Sequence, residues 1–224
     1  MEDNKIYQIA IDGPSGSGKS TLAKGVAKKL GIMYLDTGAM YRSCGLYAIK
    51  NNVDPKDENK VTDLMNKMQL DIKFIDGNQH MFLDGEDVTD QIRTPEVSMA
   101  ASGISAHTVV RKKMVDMQRT IAQKQTFVLD GRDIGSNVLP NAKYKFFLTA
   151  SSAVRAERRL KELNERGDFS QTYEEVLRDI EQRDYQDMTR SNAPLVKVDD
   201  AIEIDTSKID IDQTLQTLLS QVKE

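Results

Sequence analysis

Strands that alternate with helices along the chain predict an α/β fold, a parallel sheet covered by helices on both faces, with ligands at the carboxyl edge of the strands. Two observations carry this expectation. Short apolar runs, most ending in an acidic residue, are each followed by a stretch of helical periodicity. A glycine-rich loop also occupies the first junction, between the apolar residues 6–11 and a helical face marked by Leu22, Val26, Ala27 and Leu30 and stopped by Gly31. A chain of 224 residues with 39% hydrophobic content can bury one main core.

The loop residues Gly13, Pro14, Ser15, Gly16, Ser17, Gly18, Lys19, Ser20 and Thr21 meet the pattern G-x-x-x-x-G-K-[ST] at every required position. Its glycines let backbone N–H groups turn inward around phosphates. Lys19 can reach the β and γ oxygens, and the Ser20 hydroxyl can ligate Mg²⁺ directly or through water. A nucleoside triphosphate is the expected ligand.

Residues 32–35 read as the second strand, and Asp36-Thr37-Gly38 leads into a helix over about 39–50. The character changes between about 54 and 95. After a polar, helical piece around 62–69, residues 70–75 and 81–83 flank an Asp76-Gly77-Asn78-Gln79 turn, which predicts an antiparallel hairpin. A β-rich piece in an alternating chain reads as a lid or substrate-binding subdomain, or as a plain surface hairpin. Over 108–124, Val110, Met114, Met117 and Ile121 recur at spacings of three and four, an amphipathic helix with a core stripe. Buried strands follow over 126–129 and 144–148, helices over 153–164 and 172–187, a last strand over 201–204 and a last helix over 211–222. The loops after Asp12, Leu35, Asp130 and Leu148 are expected at one edge of the sheet.

That edge is rich in arginine, the side chain suited to bidentate phosphate binding: Arg42, Arg132, Arg155, Arg158 and Arg159, with Arg183 and Arg190 further on. Arg42 and Arg132 stand out because each follows a strand whose loop faces the expected triphosphate; the others also fit solvated helix charges or surface ion pairs. Asp130 closes an apolar strand, the position of an acid that orients a Mg²⁺ shell, or of a simple loop cap. His80, in the hairpin, and His107, before the long helix, read as exposed or capping residues. No His or Cys sits where a covalent nucleophile is expected, which suits an acceptor that is itself a phosphate, already anionic at neutral pH.

The formal net charge of −4 argues against a partner that is a nucleic acid polymer. No apolar stretch approaches the roughly 20 residues of a membrane span, and residues 1–5 resemble neither a signal nor a transit peptide, so the expectation is a cytoplasmic protein. Cys44 is the only cysteine, which excludes an internal disulfide and suggests a packed helix position. No exposed heptad argues against a monomer.

Taken together, residues 13–21, Leu35-Asp-Thr-Gly-Ala-Met-Tyr-Arg42, Asp130-Gly-Arg-Asp-Ile-Gly135 and Ala193-Pro-Leu195, in this order and across almost the whole chain, resemble the bacterial cytidylate kinases. The resemblance implies a P-loop kinase fold with a five-stranded parallel sheet of strand order 2-3-1-4-5. It also implies a single domain over 1–224: a core of 1–53 and 101–224, a β-rich insertion that binds the nucleoside monophosphate at about 54–100, and a short helical lid at about 155–170. The implied reaction is transfer of the γ-phosphoryl group of ATP to CMP or dCMP with Mg²⁺, part of pyrimidine nucleotide metabolism. By the same resemblance Thr37, Tyr41, Arg42 and Arg132 surround the acceptor phosphate, Ser102, Arg111 and Asp133 face the base, Arg183 and Asp187 approach the ribose, and Arg190 adds charge near the phosphates. Lys19, Arg132, Arg42 and Asp130 are the implied catalytic set, and Arg158 is the implied lid ligand of the donor phosphates. By spacing alone, Arg183 and Asp187 equally fit an ordinary i,i+4 helix salt bridge. Another small-molecule P-loop kinase and a non-catalytic nucleotide-binding module are the competing classes. A GTPase is disfavoured because no Asn/Thr-Lys-x-Asp guanine-reading motif is present.

Overall fold

A computed structural model of the protein describes residues 6–165 and 167–222. The expectation for residues 1–5, and residue 166 of the expected lid, lie outside the described residues. In chain order the elements are β1 (Gln8–Asp12), α1 (Lys19–Leu30), β2 (Met33–Asp36), α2 (Thr37–Lys50), α3 (Glu58–Lys67), β3 (Leu70–Ile75), β4 (Asn78–Leu83) and β5 (Glu86–Asp87). There follow α4 (Pro95–Ile104), α5 (Thr108–Ala122), β6 (Phe127–Gly131), β7 (Tyr144–Thr149), α6 (Ser152–Glu165), α7 (Tyr173–Thr189), β8 (Ile202–Asp205) and α8 (Ile211–Gln221). A 3₁₀ turn at Gln91–Arg93 precedes α4, and a π-helical turn at Ile134–Val138 follows β6. Five strands share one sheet in the order β2-β6-β1-β7-β8, which is the predicted order. The chain divides into two compact units: the chain up to Ile32 with the chain from Thr126 on, and Met33–Gln125.

In the first unit β1 runs parallel to β6 and β7, and β7 parallel to β8. Ile9, Ala10, Ile11, Val128 and Leu129 are fully buried, the continuous apolar run expected of strands covered on both sides. At the end of β1 the chain turns through Gly13 at φ 147°, where a Cβ would collide with the Leu148 carbonyl oxygen, so only glycine leaves the strand this close to β7. α1 starts from Gly18 in the left-handed conformation and packs on β6 and α8. α6 and α7 bury Ala156, Leu163, Val176 and Ile180 against one another, and a Thr172–Glu175 capping box starts α7.

In the second unit the predicted hairpin forms, β3 antiparallel to β4, but β4 already begins at Asn78, so the turn is Asp76-Gly77 alone, both residues at positive φ as a tight I′ turn requires. A short third strand, β5, extends it beyond the sequence expectation. α4 is a helix beyond the sequence expectation, although Thr94 accepts from the Val97 N–H and Pro95 occupies the first turn, a regular helix start. Its small residues hide any apolar period, and they let it approach α2 so closely that a Cβ on Gly45 would come within 2.7 Å of the Ala101 nitrogen. α5 buries a face rotated from the predicted stripe. Val110, Arg111, Met114, Val115, Gln118 and Ala122 are buried, while Met117 and Ile121 are only half-buried. Two polar residues on the buried face disguised it. Lys113 donates to the Met65 and Met68 carbonyls at 2.6 and 2.7 Å, satisfying the C-terminal end of α3.

Candidate active site

The donor side is built on the turn out of β1. Lys19 is buried at the start of α1, and its ammonium donates to the Pro14 carbonyl at 2.5 Å and to Ser17 Oγ at 3.3 Å. Burial and the nearby Arg132 guanidinium lower its pKa well below the ordinary lysine value, against the pull of Asp130, Asp187 and Asp12. A cation held in such a place is short of negative charge, which phosphate oxygens would supply. The Ser20 hydroxyl donates to Asp130 Oδ2 at 2.8 Å, which brings the loop hydroxyl and the strand-end acid together.

Beyond Asp130 the chain carries Arg132 and Asp133 into a ladder of charges. Arg132 Nε donates to Asp187 Oδ2 at 2.8 Å, Arg190 lies 3.7 Å from Asp187 Oδ1 and donates to Asp133 Oδ1 at 3.3 Å, and Asn137 donates to Asp133 Oδ2 at 2.9 Å. Burial pushes the Asp187 carboxyl up, but the Arg132 guanidinium, helped by Arg190 and Arg183, holds it below the ordinary aspartate value. Arg132, Asp133, Asp187 and Arg190, distant in sequence, thus form one cluster, with Arg183 acting on it electrostatically. The turn that carries Arg132 and Asp133 is tied to β1: Asp12 accepts from the Ile134 and Gly135 N–H groups at 2.8 and 2.7 Å.

The three helix arginines are already engaged. Arg155 is buried, donates to the Ala150 carbonyl at 2.9 Å and to the Ser15 carbonyl at 3.0 Å, and forms a two-pronged pair with Asp184 at 3.1 and 2.5 Å. It braces the phosphate loop from beneath. Arg158 donates to Thr206 at its hydroxyl and its carbonyl, and Arg159 pairs with Glu162.

In the second unit, Asp36 caps α2 by accepting from the Ala39 N–H at 2.8 Å and gathers two guanidinium groups on Oδ2, Arg42 at 3.0 Å and Arg93 at 3.1 Å. Thr37 is buried in the first turn of α2 beside it. Arg42 Nε is enclosed with no hydrogen-bond partner among the described residues, an orphaned cationic donor of the kind an anion would satisfy. The Arg111 guanidinium lies over the Tyr41 ring, 5.7 Å from its centroid, and Ser102 is half-buried on α4. His80 pairs with Asp87, and the His107 ring contacts the Pro55 carbonyl, so both histidines do structural work. Cys44 is buried 3.6 Å from the Met114 sulfur, its thiol pushed up to about 12 chiefly by burial.

Residues 9–224 match the family model described as cytidylate kinase. The chain belongs to the cytidylate kinase family. A curated cytidylate kinase from Caldicellulosiruptor bescii is 49% identical over 96% of this chain and 95% of its own length. Cytidylate kinases from Lactobacillus johnsonii and Halalkalibacterium halodurans are 46% and 47% identical, covering 99% and 98% of this chain and 96% and 99% of theirs. Membership in the cytidylate kinase family makes the protein a phosphotransferase. Among the described residues no helix is long and apolar enough to cross a membrane. No sequence motif marks Asp12, Asp36, Gln79, Arg93 or Asp184 as a site residue. Asp36 alone carried a usable signal, an aspartate at a strand-to-helix junction; the others act through partners far away in the chain.

Proposed function

We propose that this cytidylate kinase transfers the γ-phosphoryl group of ATP to a phosphate oxygen of CMP or dCMP, forming CDP or dCDP and ADP. The observation that carries the reading is the family match over residues 9–224, a span that contains the residues assigned below to phosphate, ribose and base.

Residues 13–21 hold the donor triphosphate through inward N–H groups and the Lys19 ammonium, which exchanges its contact with the Pro14 carbonyl for phosphate oxygens. Arg158 is the candidate lid ligand and would exchange Thr206 for the donor phosphates. Thr37, Tyr41, Arg42 and Arg132 bind the acceptor phosphate, and the orphaned Arg42 Nε supports that role. Ser102, Arg111 and Asp133 read cytosine, which offers an amino donor beside acceptors, so an acid with an arginine is its chemical complement. Arg183 and Asp187 serve the ribose, and Arg190 adds positive charge.

The acceptor oxygen is largely ionised at neutral pH and needs no strong base, so the protein's contribution is positioning and charge neutralisation. A hydroxyl and a carboxylate 2.8 Å apart, Ser20 and Asp130, are hard oxygen donors of the type that suits Mg²⁺. Bound there with ATP, Mg²⁺ would neutralise phosphate charge. The same reading puts the enzyme, as a monomer, in the cytoplasm with its nucleotide substrates.

The test is ADP formation from ATP and Mg²⁺ with CMP, dCMP, UMP, AMP, GMP and cytidine offered separately. Strong turnover with CMP and dCMP and weak turnover with the rest is expected. Preference for another acceptor would leave a kinase and remove the cytosine assignment.

A further inference from the structure

Asp12 is a buried carboxylate that no step above uses. It ends β1, and in the parallel register of β1 and β6 it lies opposite Gly131, between the acid that meets Ser20 and the arginine of the charge ladder. Its two oxygens are divided between two consecutive backbone donors, Ile134 N–H to Oδ1 at 2.8 Å and Gly135 N–H to Oδ2 at 2.7 Å. Those N–H groups open the π-helical turn Ile134–Val138, whose first carbonyl, that of Asp133, accepts from Asn137 and Val138 at 2.9 and 3.0 Å. The free donors at the start of a helical turn need an acceptor, and a carboxylate supplies two. Gly135 fits closely: a Cβ there would lie 3.4 Å from Asp12 Oδ2 and 3.2 Å from the Lys145 side chain.

We infer that Asp12 is a positioning residue for the acceptor substrate: by holding both N–H groups of the turn after β6, its carboxylate sets Arg132 and Asp133 in place. The inference rests on the acceptor-binding roles proposed for those two residues. Both Asp12 oxygens are taken up by backbone donors. Its effect passes through the turn, and an error of about 1 Å in a binding group can cost roughly 100-fold in rate.

The test compares Asp12→Asn, Arg132→Ala and the double variant in steady-state kinetics with CMP and ATP varied in turn. Asparagine keeps the shape but offers one acceptor oxygen for two donors. Asp12→Asn should lower kcat/KM for CMP roughly 10- to 100-fold while KM for ATP stays within about twofold. In the Arg132→Ala background the same change should cost clearly less than in the parent, because one of the two groups it places is already gone. Equal losses toward both substrates, or full additivity in the double variant, would overturn the inference. If Arg132→Ala leaves KM for CMP unchanged, the acceptor role of Arg132 fails and the inference fails with it; if Arg132→Ala is CMP-defective and Asp12→Asn is not, the inference alone fails. Should Asp12→Asn not fold, Gly135→Ala disturbs the same contact from the other side. It must show the CMP-selective loss, and normal CMP kinetics in that variant would also overturn the inference.

Discussion

The Gln79 carboxamide closes on the backbone of Asp36 with both of its ends, accepting from the Asp36 N–H at 2.7 Å and donating to the Asp36 carbonyl at 3.1 Å. A residue of the hairpin thereby holds the loop that presents Thr37 and gathers Arg42 and Arg93 on one carboxylate. The hairpin is thus tied to the Asp36 loop of its unit, and under the acceptor-binding role proposed for Thr37 and Arg42 it would support that site.

Gln79→Ala should therefore raise KM for CMP about tenfold, equivalent to ~1.4 kcal/mol, with KM for ATP unchanged. Initial-rate kinetics with each substrate varied in turn would check it. A normal KM for CMP would show that Asp36 holds its loop unaided.

Arg155 and Asp184 form a buried pair, with side chains only 5% and 13% exposed, beneath the phosphate loop. Arg155→Ala leaves Asp184 charged and enclosed, and should cost roughly 3–5 kcal/mol of folding stability. Replacing both by apolar residues should restore much of that while leaving ATP binding weakened, because the Ser15 carbonyl still lacks its donor. Urea unfolding and ATP titration would separate the two effects; a single variant as stable as the parent would contradict the account.

Asp12 makes stability depend on pH in a definite direction. Burial, opposed by the Gly135 and Ile134 N–H groups, raises its pKa from 3.8 to about 6. A folded-state value above the unfolded one favours the protonated folded form, so this group's contribution is fully present below pH 3.8 and is lost as pH rises through about 6. The change amounts to roughly 3 kcal/mol. Relative to Asp12→Asn, the parent protein should lose stability between pH 4 and pH 7, seen as converging or crossing urea midpoints. Parallel midpoints over that range would rule the linkage out. Asp187, held low by Arg132, acts with the opposite sign and weakens the fold as pH falls.

Gln118 lies on the buried face of α5, 1% exposed, and neither end of its carboxamide has a hydrogen-bond partner among the described residues. An enclosed, unsatisfied amide costs about 1–3 kcal/mol, so Gln118→Met, similar in volume and apolar, should stabilise the protein by about 1–2 kcal/mol. A higher urea midpoint at unchanged slope is expected. A lower midpoint would mean that the amide is satisfied.

The sequence by itself determined the phosphate loop, the alternation of strands and helices, the hairpin and the family. Each rests on residues close together in the chain, where glycine conformation, apolar period and motif spacing act directly. The tertiary structure decided which charges face one another. Parallel pairing of β1 with β6 sets Asp12 against the turn after Gly131, 119 positions along, and the packing of α6 on α7 turns Arg155 into a brace. It also rotated the buried face of α5 away from Met117 and Ile121, because burying Arg111 and Gln118 depends on a tertiary enclosure that no local period encodes.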